Sequence, residues 1–257
     1  MTATTGFETK ISGVTTASGD SFFVRMAVTA ALVTFLGFAP TYWVPVFKGT
    51  LNAKPIVHLH AIVFFGWAVF FAVQSWLAGA RRFRAHRALG LIGISLATAM
   101  TIVGLCASIN QMHGATALGL SAAGQSFSIV PIAGIAFFAV TFAIAIAMVR
   151  RQEWHKRLML VAAISMLDAP IARLFVTFLA PAGPPGPPPV FVDLGPAFVS
   201  LLMLGWAMYF DVRKSGRPHQ AYWIGAGALT AIKILQVPAS STSIWLSIAG
   251  RIASIAQ

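Results

Sequence analysis

Acidic residues are nearly missing from this chain. Six aspartates and glutamates stand in 257 residues against 18 lysines and arginines, and charged residues of both signs make up only 9%. A soluble domain uses about 25%, so a soluble fold of this size would lack the polar residues to cover itself. Cysteine is missing too, save for Cys106, which excludes a disulfide framework and a Cys-based zinc site. Lying in an apolar run, Cys106 reads as a small buried hydrophobe. There is no His-Glu-x-x-His pair, no Gly-x-Ser-x-Gly elbow and no Gly-rich phosphate loop. No glutamate falls inside an apolar run, so paired-carboxylate hydrolysis would rest on Asp168 and Asp193 alone. A formal charge of +12 would suit nucleic acid on a soluble scaffold, but here the bases sit in short stretches between apolar runs, and nucleic acid is excluded as a partner.

What the chain has in excess is hydrocarbon, with 58% apolar residues. Runs of the length a bilayer demands, about 18–25 residues, occur at about 22–45, 55–79, 87–109, 127–149, 156–179, 191–210 and 220–237. The expected fold is all-α: a polytopic transmembrane bundle of about seven helices. Arg81, Arg82, Arg84 and Arg87 follow the second run, Arg150, Arg151, Lys156 and Arg157 the fourth, and Arg213, Lys214 and Arg217 the sixth. Loops rich in Lys and Arg stay in the cytoplasm, which places the amino terminus inside and the carboxyl terminus outside.

Residues 1–20 then form a polar cytoplasmic segment and 21–238 the seven-helix domain. No small-residue cleavage site follows the first run, which reads as a retained helix. The stretch Pro181 to Pro189 reads as a stiff external connector. In the tail, 239–257, Ile244, Trp245, Ile248, Arg251, Ile252 and Ile255 recur at helical spacing, as in an amphipathic helix lying in the outer interface.

An ionisable group inside a span costs about 2.5–3.5 kcal/mol on insertion scales, so each needs a partner or a purpose. Asp168 falls near the middle of the fifth run, followed by Pro170, which frees a backbone carbonyl one turn back, and by Arg173. Lys233 sits in the outer half of the seventh run, His58 and His60 in the first turns of the second, and Asn110 and Asp193 at outer ends. The acids Asp168 and Asp193 balance Arg173 and Lys233, so pairing across helices competes with a ligand-filled cavity as the explanation. His58 and His60, two apart, point to different faces of a helix. One of them together with His113 in the next outer loop could supply two axial nitrogens to a haem. His86, His155 and His219 stand at the inner boundary, where anchoring competes with an inner haem or quinone-head site. Arg84-Ala-His86-Arg87 and Trp154-His155-Lys156-Arg157 open two cytoplasmic-side helices alike, an echo that suits an old duplication. Trp43, Trp67, Trp76, Trp206, Trp223 and Trp245, with Gln74, suit aromatic belts and packing, while Gly90, Gly93, Ala97, Ala133 and Gly134 suit close helix approach.

Five motifs carry a resemblance across residues 22–245: Gly37-Phe-Ala-Pro-Thr-Tyr42; His58-Leu-His60-Ala61 with Trp67 and Gln74; His86-Arg87-Ala-Leu-Gly90; Trp154-His155-Lys156-Arg157-Leu-Met; and Gly216-Arg-Pro-His219. In these the chain resembles a widespread uncharacterised family of bacterial seven-helix integral membrane proteins. The resemblance implies a fold and a place in the bacterial inner membrane, and no activity. Asp168 and Lys233 depart from that family, which has apolar residues and Arg there more often. His86-Arg-x-Leu-Gly also bears a faint likeness to helix starts of membrane b-type cytochromes. A rhodopsin-like reading of Lys233 fails on topology, since retinal pumps carry the amino terminus outside.

The function expected from these features is binding of a small ligand or redox cofactor, with haem b as the preferred variant. The site would be an outward-facing polar pocket made by His58 or His60, Asn110, Asp168, Arg173 and Lys233. The alternative is a non-catalytic accessory subunit of a larger membrane complex with its charges merely paired. A secondary transporter ranks third, because no paired Gly- or Pro-broken runs occur in two halves.

Overall fold

A computed structural model describes residues 15–179 and 186–255, with side chains from Ser21 onward. Most of the polar segment 1–20, and the proline-rich connector up to Pro185, lie outside the described residues. The described chain is all-helical, with no strand. Its helices are α1 (Thr15–Phe38), α2 (Val44–Phe47), α3 (Pro55–Gly79), α4 (Phe83–Ala117), α5 (Ser121–Phe127), α6 (Ile129–Ala147), α7 (Gln152–Ser165), α8 (Asp168–Phe178), α9 (Leu194–Ser215), α10 (Gln220–Ala239) and α11 (Ser243–Ser254).

Six helical stretches are long and apolar enough to cross a bilayer: Ser21–Phe47, Pro55–Gly79, Phe83–Ala117, Ser121–Ala147, Gln152–Phe178 and Val190–Ser215. The run at 220–237 does form a helix, α10, but it is not one of these six; Gln220, Lys233 and Gln236 make it the least apolar of the expected spans. Leu36, Ile62, Leu91, Val140 and Leu235 are all more than half exposed, a surface that only lipid tails accommodate. The protein is therefore a multi-pass helical membrane protein. Cys106 is part of that surface. Although expected inside, it lies exposed on α4, on the face turned away from the neighbouring helices.

The fifth stretch is the centre of the bundle, since 56% of its apolar part is buried against 22% for Pro55–Gly79. Leu160, Val161, Ala162 and Ile164 are buried all round the helix, as a helix wrapped by others requires. Trp67 of α3 sets the other half of the core: its indole meets Phe138 edge-on at 5.1 Å and Phe142 at 5.5 Å, both on α6. Phe22 stacks on Phe210 at 3.9 Å, holding α1 to α9.

Two irregularities face each other within this apolar frame. The fifth stretch breaks at residues 166–167 between α7 and α8, because Pro170 has no N–H to give the carbonyl one turn back. The first stretch passes through a π-helical turn at Ala39–Trp43, which holds Pro40. Gly37, just before that turn, packs against Pro170 so closely that a Cβ there would lie 2.5 Å from the Pro170 side chain and carbonyl oxygen. Only glycine allows this approach. Of the small residues expected to mediate packing, Gly93 does touch the Phe70 ring, whereas Gly90 and Gly134 would meet nothing within 4 Å. Their faces are turned outward, and further close approaches are at Gly37, at Gly124 against Ala115 and at Gly225 against Val161.

The tail does form a helix, α11, which docks on the bundle: the Trp245 indole N–H donates to the Gln125 carbonyl at 2.9 Å, and His113 Nε2 donates to the Ala253 carbonyl at 2.9 Å.

Candidate functional site

The break in the fifth stretch makes Asp168 the first residue of α8, in the interior of the bundle. Its Oδ2 lies 2.7 Å from Lys233 Nζ on α10, and its Oδ1 accepts from the Ser200 hydroxyl on α9 at 2.5 Å. Lys233 Nζ also reaches Asp193 Oδ2 at 2.8 Å; Asp193 closes a 3-10 turn, Val190–Asp193, that leads into α9. The Gln236 amide, one turn along α10 from Lys233, donates to the same Asp193 oxygen at 2.7 Å. All five side chains are buried. Two carboxylates thus share one ammonium, and when all three are ionised the cluster carries one uncompensated negative charge. Gln236 Oε1, itself buried, has no hydrogen-bond partner among the described residues.

Of the residues expected in an outward pocket, the structure brings Asp168, Asp193 and Lys233 together. Arg173 stands apart from that cluster: it makes no ion pair among the described residues, its guanidinium lies 6.0 Å from the Phe38 ring, and its charge is close enough to act on His60. His58 Nδ1 sits 3.1 Å from the Tyr42 hydroxyl, while the His60 ring stacks on Phe64 at 4.0 Å, with a buried Nδ1 that has no partner. Asn110, near the same end of α4, is half-buried. His113 is engaged by α11, so the three histidines considered for a haem take three separate partners.

The opposite, basic end of the bundle holds a second ionic cluster. Arg157 of α7 grips Asp211 of α9 with two parallel bonds, Nε to Oδ2 at 2.8 Å and Nη2 to Oδ1 at 2.7 Å. It also donates to the Glu153 carboxylate and, at 3.0 Å, to the Glu153 carbonyl. Asp211, 1% exposed, accepts the His219 backbone N–H at 3.1 Å and so ties down the turn between α9 and α10. His219 caps α10 with Nδ1, which accepts the Ala221 N–H at 3.1 Å. An accepting Nδ1 carries no proton, and burial followed by the charge of Arg157 holds this imidazole below its usual pKa. Beside the clamp an open cleft of about 550 Å³ is lined by Arg157, Lys214, Arg217 and His219. A second, of about 540 Å³, lies between α1 and the end of α3, lined by Arg25, Trp76 and Arg81.

Asp211 and Ser200 were missed by sequence reasoning. Asp211 had the same signal as Asp168, an acid against an apolar helix that needs a base, but it lies one residue beyond the expected end of its run. Ser200 carries no charge and so no visible insertion cost.

No described protein family, curated protein or solved structure matches this chain.

Proposed function

We propose that the chain is a bacterial inner-membrane protein of seven spans, with α10 the seventh and the amino terminus in the cytoplasm, and that its Asp168–Lys233–Asp193 cluster binds a proton or a small cation. The observation that carries the reading is the odd charge: one ammonium between two buried carboxylates. Hydrocarbon tolerates neutral clusters far better than charged ones, so the remaining negative charge favours a positive occupant. The broken fifth span supports the reading, because irregular backbone at membrane depth is kept where it forms a site. The unpartnered Gln236 Oε1 supplies a further oxygen for such an occupant.

Infrared difference spectra between acid and alkaline buffer test the occupant. The purified protein should show a protonated-carboxyl band that is absent in Asp168→Asn, or else native mass spectrometry should find a small cation that Asp168→Asn loses. A protein with neither feature sinks the proposal and leaves the second reading, an accessory subunit, which is favoured by the ion pair of Asp168 with Lys233 and the hydrogen bond it accepts from Ser200. For topology, a reporter fused after Gln257 is expected to be active only on the periplasmic side. A cytosolic signal from that fusion would remove α10 from the spans or reverse the orientation.

A further inference from the structure

His86 and His155, which the cluster above does not use, face each other across the basic end. Their elements are built alike: each opens a helix, α4 or α7, that returns along its predecessor, α3 or α6. His86 Nδ1 lies 3.2 Å from the Gln74 carbonyl and His155 Nδ1 2.8 Å from the Ala145 carbonyl. A carbonyl can only accept, so both Nδ1 atoms carry the proton and both Nε2 atoms keep a free lone pair. The rings stand 6.4 Å apart, centre to centre, at 81°.

We propose that His86 Nε2 and His155 Nε2 ligate one transition-metal centre from opposite sides. Metal-bound histidines donate their other ring N–H to a carbonyl or carboxylate, which fixes the tautomer and aims the lone pair, and both rings here do so. An imidazole nitrogen binds a metal at about 2.0 Å, so two rings trans across one metal lie roughly 6 Å apart centre to centre, and a bent pair lies closer. The observed separation fits the trans arrangement. Among the described residues no group of three or more His, Cys, Asp or Glu is placed to hold a metal. Two trans imidazoles with no third protein ligand suit two-coordinate copper(I) or the axial positions of haem iron. Both sources present the same chemistry to the protein. The Gln74 side chain, 8% exposed and with neither its Oε1 nor its Nε2 partnered, adds a polar group on the helix whose carbonyl orients His86.

Two arms test this on the full chain in detergent. In the first, protein from haem-replete cells is examined by absorbance; in the second, metal-free protein is titrated with copper(I) against a chromophoric chelator. One arm should give one metal centre per chain with the spectroscopic signature of two imidazole nitrogens. His86→Asn and His155→Asn keep an N–H for the carbonyl but remove Nε2, and each should weaken retention by at least about tenfold. Absence of a centre in both arms overturns the proposal, as does retention that survives both variants. The ligand signature of the unaltered protein decides the matter even where a variant does not fold. The Asp168 cluster has no part in any of these outcomes.

Discussion

Replacing Lys233 with methionine is expected to destabilise the bundle by about 3–5 kcal/mol, because it strands two buried carboxylates without a counter-charge. Asp168→Asn, at the other end of the same ion pair, is expected to cost less than about 1.5 kcal/mol. The asymmetry follows from the arithmetic of the cluster. Removing the one cation leaves two negative charges, whereas removing one of two anions leaves Lys233 neutralised by Asp193 at 2.8 Å. Geometry also favours the asparagine. Its oxygen can face Lys233, and its amide can donate to Ser200, whose hydroxyl lies 3.3 Å from the Pro196 carbonyl and can turn its proton there. The measurement is unfolding of the purified protein in mixed micelles at neutral pH. In the Lys233→Met background, adding Asp168→Asn should restore part of the loss, so the two changes should be strongly non-additive. Equal costs for the two single changes would show that the cluster is not anionic, and the proton or cation reading would fall with it.

The parts of this molecule legible in the sequence are those whose cost is paid locally. An apolar run of bilayer length announces a helix because its backbone must satisfy itself in hydrocarbon, and six of the expected runs lie on stretches able to span. The break beside Asp168 was signalled by Pro170, a backbone effect confined to one turn. Partnership across helices is different, because it depends on how each helix is rotated about its axis. Asp168 and Lys233 could be matched by charge and depth, but Arg173, equally charged and one turn away, points elsewhere. The same holds for glycine. Gly90 and Gly37 look alike in the sequence, yet only Gly37 meets a neighbour, because α8 crosses there. The exposed Cys106 shows the limit from the other side: in a bilayer an apolar residue gains nothing by turning inward, so hydrophobicity does not predict burial.

The second large effect is expected at the basic end, at Arg157. Arg157→Met leaves Asp211, 1% exposed, with no guanidinium and only the His219 N–H among its present partners, at an expected cost of about 3–5 kcal/mol. Arg157→Lys retains the charge but is not conservative here. One ammonium cannot reproduce two parallel bonds to Asp211 while also holding Glu153. Because Asp211 also holds the backbone of His219, loss of the clamp should release the α9–α10 turn, which contains Arg217 and follows Lys214. Trypsin should therefore cut there faster in Arg157→Met than in the parent protein, by a factor that tracks the loss of stability if local opening limits cleavage. Pairing the change with Asp211→Leu removes the stranded carboxylate and should recover most of the stability, since a buried ion pair is worth little more than well-packed hydrocarbon. It should not recover the protection of the turn, because no acceptor then remains for the His219 N–H. Recovery of both would mean that packing, and not the carboxylate, holds the turn in place.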